Sequence, residues 1–157
     1  MRVSVQEADF DVGAETEALT AGRPDVSAGA SFVGDGRADK LAGENVADQA
    51  VSAMTLEHYP GMTEKSLEAI VAEAESRWSL LGVRVIHRFG RLVPGDRIVF
   101  VGVAGSHRGE AFAACEFIMD YLKTRAPFWK KEDTPEGGRW VDAREADDAA
   151  AEKWGQA

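Results

Sequence analysis

Two periods run through the hydrophobic and polar positions of this chain. Val3 and Val5 alternate with polar neighbours over Met1 to Gln6, which predicts a short strand. Small residues from Ser27 to Val33 predict a second strand, and alternation resumes from Val51 to Tyr59 as a third. Val83 to Phe89 and Arg97 to Val103 are strongly β-patterned, and the Leu92-Val93-Pro94-Gly95-Asp96 stretch between them has the composition of a hairpin connection. Phe128 to Lys131 and Arg139 to Asp142 predict a last hairpin around Thr134-Pro135-Glu136-Gly137-Gly138.

The helical period enters after Pro60-Gly61-Met62. Leu67, Ile70, Val71 and Ala74 recur at that spacing, with Thr63 as the expected N-cap and Trp78 near the end. Ser106 is the expected cap of a second helix, whose apolar positions Ala111, Cys115, Ile118 and Leu122 continue until Pro127 stops it. A weaker helix spans Val12 to Thr20 and ends at Gly22 and Pro24. The polar, turn-rich stretch over about 37–49 reads as a mobile loop, and the charged, alanine-rich tail over about 143–157 as a frayed helix. No segment repeats. Strands interrupted by two well-formed helices, joined by hairpins instead of regular βαβ units, predict an α+β fold with a largely antiparallel sheet.

A chain of 157 residues with 45% hydrophobic content makes one domain, 1–157, with a normal core. Its formal net charge of -9 argues against a nucleic-acid partner, because phosphate-backbone binding needs many cations on one face. The N-terminal residues form no long apolar run, and no stretch approaches the roughly 18 apolar residues of a membrane span, so a cytoplasmic protein is expected. Cys115 is the only cysteine, which rules out an intramolecular disulfide and a cysteine metal cluster. It lies on the apolar stripe of its helix and reads as a small buried hydrophobe. His58, His87 and His107 have no metal-ligand spacing, so no metal is expected. No dinucleotide or P-loop fingerprint is present either, and no cofactor is expected.

Against that acidic background, Lys123, Arg125, Lys130 and Lys131 crowd around one turn. Such a concentration predicts a local site for a small anion. Lys123 and Arg125 also suit the last turn of a helix, where cations complement the dipole. Lys130, beyond Pro127, can join Lys123 in a pocket walled by Phe128 or Trp129, where like charges lower each other's pKa and prepare a lysine for proton transfer or nucleophilic attack. Gly105-Ser106-His107-Arg108 lies where a strand hands over to a helix N-terminus, a second place for a phosphate or carboxylate; the alternative is an ordinary exposed first turn. Arg37, after Gly34-Asp35-Gly36, adds a guanidinium or is a solvated loop residue. His87 is in phase with Val83, Val85 and Phe89 and reads as a hydrogen-bonded sheet residue.

Leu56-Glu57-His58-Tyr59-Pro60-Gly61-Met62-Thr63-Glu64-Lys65, Val85-Ile86-His87-Arg88-Phe89-Gly90, the run Ile98 to Val103, and Phe117 to Lys131 together resemble the large, catalytic subunit of molybdopterin synthase. The similarity covers roughly Ser31 to Trp154, with Ala-Pro-Phe-Trp-Lys-Lys-Glu its most specific part. The resemblance implies an α/β hammerhead fold and a sulfurtransferase that converts cyclic pyranopterin monophosphate to dithiolene-bearing molybdopterin. It implies sulfur delivered as the C-terminal Gly-Gly thiocarboxylate of a small ubiquitin-like subunit, and a central homodimer within a heterotetramer. Carried over by motif, the catalytic lysines fall on Lys123 and Lys130, and substrate contacts on Asp35, Gly36, Arg37, His107, Arg108, Lys131 and Glu132. Gly105 before Ser-His-Arg and the long insertion between Arg37 and Leu56 depart from the family pattern. A docking platform that holds an anion without turnover is the competing reading, and it gives no reason for the lysine pair.

Overall fold

The computed structural model describes residues 2–36, 53–134, 137–141 and 145–155. Its elements run β1 (Val3–Gln6), α1 (Val12–Thr20), β2 (Ala28–Asp35), β3 (Ala53–His58), α2 (Met62–Arg77), β4 (Leu80–Arg88), β5 (Gly90–Leu92), β6 (Arg97–Gly105), α3 (Arg108–Arg125), β7 (Phe128–Thr134), β8 (Gly137–Val141) and α4 (Glu145–Glu152), closed by a 3-10 turn at Lys153–Gly155. The strands form two four-stranded sheets, ordered β1-β4-β6-β2 and β5-β3-β7-β8. Among the described residues only the β1–β4 pair is parallel, so the fold is α+β and largely antiparallel, as the hairpin pattern predicts.

Alternation in β4 and β6 sorts their side chains between two layers. Val83, Val85, Val99, Val101 and Val103 face the main core, where Leu67, Ile70 and Val71 of α2 and Phe117 and Ile118 of α3 cover them. Ile86 and Phe100 point the other way and pack with Phe10 beneath α1. In that second layer a Cβ on Gly102 would stand 2.5 Å from Leu19 Cδ1 and 2.8 Å from the Phe100 ring, so glycine lets both side chains pack here without shifting. Each aromatic buried in this way contributes on the order of 2 kcal/mol through removal of apolar surface from water.

Four local expectations change. The connection between β4 and β6 is no simple hairpin: Gly90, at φ +89, turns the chain out of the first sheet, and β5 then pairs with β3 in the second. Thr63 is not the cap of α2. Gly61, at φ +84, takes that position, and Glu64 Oε2 accepts from the Gly61 N–H at 3.0 Å. The buried Thr63 hydroxyl instead accepts from the Tyr59 N–H at 3.0 Å and donates to the Pro127 carbonyl at 3.1 Å, tying the start of α2 to the start of β7. Ser106 likewise stops short of the cap of α3: His107 holds that place in an extended conformation, while the Ser106 carbonyl accepts from the Ser27 hydroxyl.

The tail is the fourth. Residues 145–155 are helical and docked, not frayed. Trp154 meets Trp78 and Phe117 edge-on at 5.7 and 5.6 Å, its indole N–H donates to Asp120 Oδ2 at 2.6 Å, and its carbonyl accepts from Arg77 at 2.7 Å. An alanine-rich helix of eight residues is too short to hold itself, and this anchor supplies what it lacks. The loop expected over about 37–49 lies outside the described residues. Among the described residues, no helix is long and apolar enough to cross a membrane.

Trp154→Ala is expected to cost about 2 kcal/mol and to raise amide exchange throughout α4 while leaving both sheets protected. Urea unfolding with site-resolved hydrogen exchange checks this; unchanged exchange in α4 would show that the tryptophan is not its anchor.

Candidate active site

Pro127 ends α3 and sends the chain straight into β7, which pairs antiparallel with β3 so that Phe128 lies opposite His58, Lys130 opposite Leu56 and Glu132 opposite Met54. Side chains alternate along a strand, so Phe128, Lys130 and Glu132 share one face of the second sheet, and Trp129, Lys131 and Asp133 share the other. The first face turns toward the first sheet. There the Phe128 ring stacks on His87 of β4, with centroids 3.7 Å apart and planes 18° from parallel. His58 completes the wall, 4.3 Å from Phe89 and 6.5 Å from Phe128, with its Nδ1 3.7 Å from Glu64 Oε1.

His87 is the electrostatic centre of this wall. Its Nδ1 lies 2.8 Å from the Arg88 carbonyl, and a carbonyl only accepts, so Nδ1 carries a hydrogen. Burial pushes the imidazole pKa down to about 3, and the positive charges of Lys123, Lys130 and His58 push in the same direction against the opposing effect of the Arg88 carbonyl. His87 is therefore neutral at physiological pH. Positive charge from the end of α3 and from the start of β7 thus reaches this imidazole.

The four cations expected around one turn divide three ways. Lys123 and Lys130 both bring positive charge within electrostatic reach of His87, and Lys130 shares the face of β7 that carries Phe128. Arg125 turns away, its guanidinium 3.7 Å from the centroid of the Tyr121 ring and 3.6 Å from Glu73 of α2. Lys131, on the opposite face of the second sheet, points its ammonium at the Trp140 ring, 5.9 Å from the centroid. Glu132 is buried on the Lys130 face.

Asp35 and Gly36 end β2 at the same edge of the fold as His87. Gly34 pairs with Val99, which pairs with His87, so the end of β2 is two strand spacings, about 10 Å, from the imidazole. Gly36 is held by its N–H to the Asp96 carbonyl at 2.9 Å and by its carbonyl to the Gly95 N–H at 2.8 Å. Arg37 lies outside the described residues. His107 and Arg108 are exposed at the other end of α3. With 15 residues of helix between Arg108 and Lys123, the helical rise sets their backbones about 22 Å apart. That exceeds an arginine and a lysine side chain laid end to end, so within one chain they do not grip a common phosphate. His87 is a sheet residue with a carbonyl partner, as its phase with Val83 and Val85 predicts; its stack on Phe128 follows from the meeting of strands far apart in sequence.

Residues 5–125 match the MoaE protein family. The chain belongs to that family. A MoaE-family relative from Ralstonia nicotianae, the molybdopterin synthase catalytic subunit, is 60% identical over 154 residues, covering 98% of this chain and 84% of its own length. The solved MoaE protein of Burkholderia ambifaria, described as a molybdopterin biosynthesis protein, superposes with a TM-score of 0.81 at 56% identity and covers 98% of this chain and 97% of its own. A solved complex of subunits 1 and 2 of the molybdopterin-converting factor from Helicobacter pylori includes a chain of the same fold, with a TM-score of 0.69, 17% identity, and coverage of 91% and 90%.

The depressed basicity of His87 makes a stability prediction. Unfolded, the imidazole titrates near 6.5; folded, at about 3. Between those values the unfolded chain binds a proton that the folded chain refuses, so the contribution is complete above pH 6.5 and is lost as pH falls toward 3, at about 1 kcal/mol per pH unit. Chemical unfolding of wild type and His87→Gln between about pH 7 and pH 4 is expected to show the steeper acid loss in wild type. Parallel curves would mean that His87 is not held neutral.

Proposed function

We propose that this chain is the catalytic subunit of a molybdopterin synthase, a sulfurtransferase that converts cyclic pyranopterin monophosphate to the dithiolene of molybdopterin in molybdenum cofactor biosynthesis. Family membership and the names of its relatives supply the reaction. The observation that carries the site assignment is the Phe128–His87 stack, which closes β7 onto the first sheet where α3 ends, with Lys130 on the same strand face and both Lys123 and Lys130 within electrostatic reach of the buried histidine. Two ammonium groups there offset the charge of a phosphate-bearing pterin and of an incoming thiocarboxylate. Either one can donate a proton to the oxygen displaced when sulfur bonds to the pterin carbon.

The sulfur has no source within the described chain. Cys115 is buried and its thiol is pushed up to about 11, chiefly by burial and then by Glu116, so it is protonated at neutral pH and shielded from a pterin. A small ubiquitin-like subunit bearing a C-terminal Gly-Gly thiocarboxylate supplies what the chain lacks, and the two-subunit complex of the same fold supports that assembly. A homodimer of the large subunit accounts for His107 and Arg108: too distant to share a phosphate with their own Lys123, they serve the pterin held by a second copy. Asp35, Gly36 and Arg37, with Lys131 and Glu132 as further substrate contacts, complete the assignment as one domain working in the cytoplasm.

Reconstitution tests the reading. The chain, a thiocarboxylated small subunit and the cyclic pterin are expected to give dithiolene product by mass spectrometry, with Cys115→Ala retaining turnover. Equal rates from the chain and inorganic sulfide alone would remove the carrier, and binding of both partners without product would leave a docking platform.

Substitution at Lys123 separates charge from chemistry. Arginine keeps the cation but holds its proton too tightly to transfer it. Lys123→Ala and Lys123→Arg are both expected to lose turnover by at least about a hundredfold, while Lys123→Arg still binds pterin in a direct titration. Near wild-type turnover by Lys123→Arg would make Lys123 an electrostatic anchor and move the proton transfer to Lys130.

A further inference from the structure

We infer that Thr63 is a positioning residue for the lysine pair: its buried hydroxyl bridges Tyr59, just past β3, and Pro127, just before β7, and so sets how the helix end carrying Lys123 meets the strand carrying Lys130. The inference rests on the reading of those lysines as the reaction centre.

The pairing of β3 with β7 ends at His58 opposite Phe128, and the same register continued by one residue sets Tyr59 against Pro127. Proline has no N–H, so this position cannot form a full backbone rung. The Thr63 hydroxyl takes the rung's place, accepting from the Tyr59 N–H at 3.0 Å and donating to the Pro127 carbonyl at 3.1 Å. A hydroxyl accepts and donates at one atom, which a valine of nearly the same shape cannot do. Thr63 is fully buried, so a backbone group deprived of this hydroxyl has no solvent beside it to turn to. The threonine is itself held firmly. Its N–H donates to the Tyr59 carbonyl at 2.9 Å, and the helix it opens is anchored in the main core by Leu67, Ile70 and Val71.

The bridged carbonyl sits at the pivot of the site. Lys123 lies four residues before Pro127 in the last turn of α3, and Lys130 lies three residues after it in β7. Between them the chain turns tightly: Ala126 leaves the helix with an extended backbone, and the Phe128 N–H donates to the Ala126 carbonyl at 2.9 Å. That bond is local to the turn and moves with it. The Thr63 hydroxyl instead refers the turn to α2, a third element fixed by the core. Without it, β7 is free to swing about the turn, carrying Lys130 and the Phe128 ring that stacks on His87 away from their places relative to Lys123. A misplacement of about 1 Å at reacting groups costs on the order of a hundredfold in rate, so a hydroxyl outside the chemistry has leverage on it.

Wild type supplies the first check. In labelled protein the Thr63 hydroxyl hydrogen is expected to exchange slowly with solvent and to lie close to the Tyr59 amide hydrogen; a freely exchanging hydroxyl overturns the proposal. Thr63→Val then removes the hydroxyl and Thr63→Ser keeps it. In the reconstituted complex Thr63→Val is expected to lower kcat at least about tenfold with little change in KM for the pterin, and Thr63→Ser to recover most of the loss. Trp154→Ala, which weakens the fold away from the site, is expected to keep the wild-type kcat at a temperature where all variants are folded, so lost stability alone does not move this readout. Near wild-type kcat in Thr63→Val, or an equal loss in Thr63→Ser, overturns the proposal. Should Thr63→Val fail to fold, Thr63→Ala against Thr63→Ser makes the same comparison. Ring-to-ring proton contacts between Phe128 and His87 are expected to weaken in Thr63→Val and to persist in Thr63→Ser; contacts unchanged in both overturn the proposal without any turnover measurement. A wild-type complex that makes no dithiolene instead sinks the reading of the reaction, and the ring contacts still decide whether Thr63 places β7.

Discussion

The stack of Phe128 on His87 is the contact on which the rest of the site depends. It joins a strand of the second sheet to a strand of the first, and it does so where α3 ends. Without that closure Lys130 would belong to an exposed hairpin and Lys123 to an ordinary helix C-terminus. With it, an apolar ring and a buried imidazole form the floor beneath two cations. The Thr63 hydroxyl bonded to the Pro127 carbonyl holds the adjoining turn from the other side, so α2, which carries no cation of the site, still controls where β7 begins.

Charge placement follows from the same geometry. Bringing two ammonium groups together is unfavourable unless water or a counter-charge reaches them, and this protein leaves Lys123 exposed while it buries the nearby histidine. The desolvation falls on a group that responds by staying neutral. Other cations are drawn off by partners of their own: Arg125 by Glu73 and the face of Tyr121, Lys131 by Trp140. In an acidic chain, Lys123 and Lys130 form a local concentration of positive charge, suited to a small anion and unsuited to a polyanion.

Much of this was legible in the sequence wherever a local rule was enough. Period-two runs located the strands, the stripe through Ala111, Cys115, Ile118 and Leu122 gave the buried face of α3, and Pro127 marked its end. The errors came where long-range contacts displaced local ones. Thr63 and Ser106 have the side chains of N-caps, but a distant carbonyl claimed the Thr63 hydroxyl and a serine from another strand held the Ser106 backbone. The Leu92 to Asp96 stretch reads as a hairpin connection, and only the pairing of β5 with β3 shows that the chain leaves for a different sheet at Gly90. The tail reads as a helix from its alanine-rich composition, but its docking does not, because that rests on one tryptophan at its end and on distant partners.

The same distinction explains why the lysines were recognisable as a pair and His87 was not recognisable as part of their surroundings. Lys123 and Lys130 are separated by one helix end and one proline, a short path whose geometry local rules constrain. His87 lies far upstream in another sheet, and its phase with Val83 and Val85 says only that it is buried. What a buried histidine does is decided by the atoms at its two nitrogens. One nitrogen here is committed to its own strand's backbone, and positive charge from α3 and β7 reaches the ring from elsewhere in the fold. A residue that reads as structural in one dimension can therefore become part of a site's wall once the sheets close.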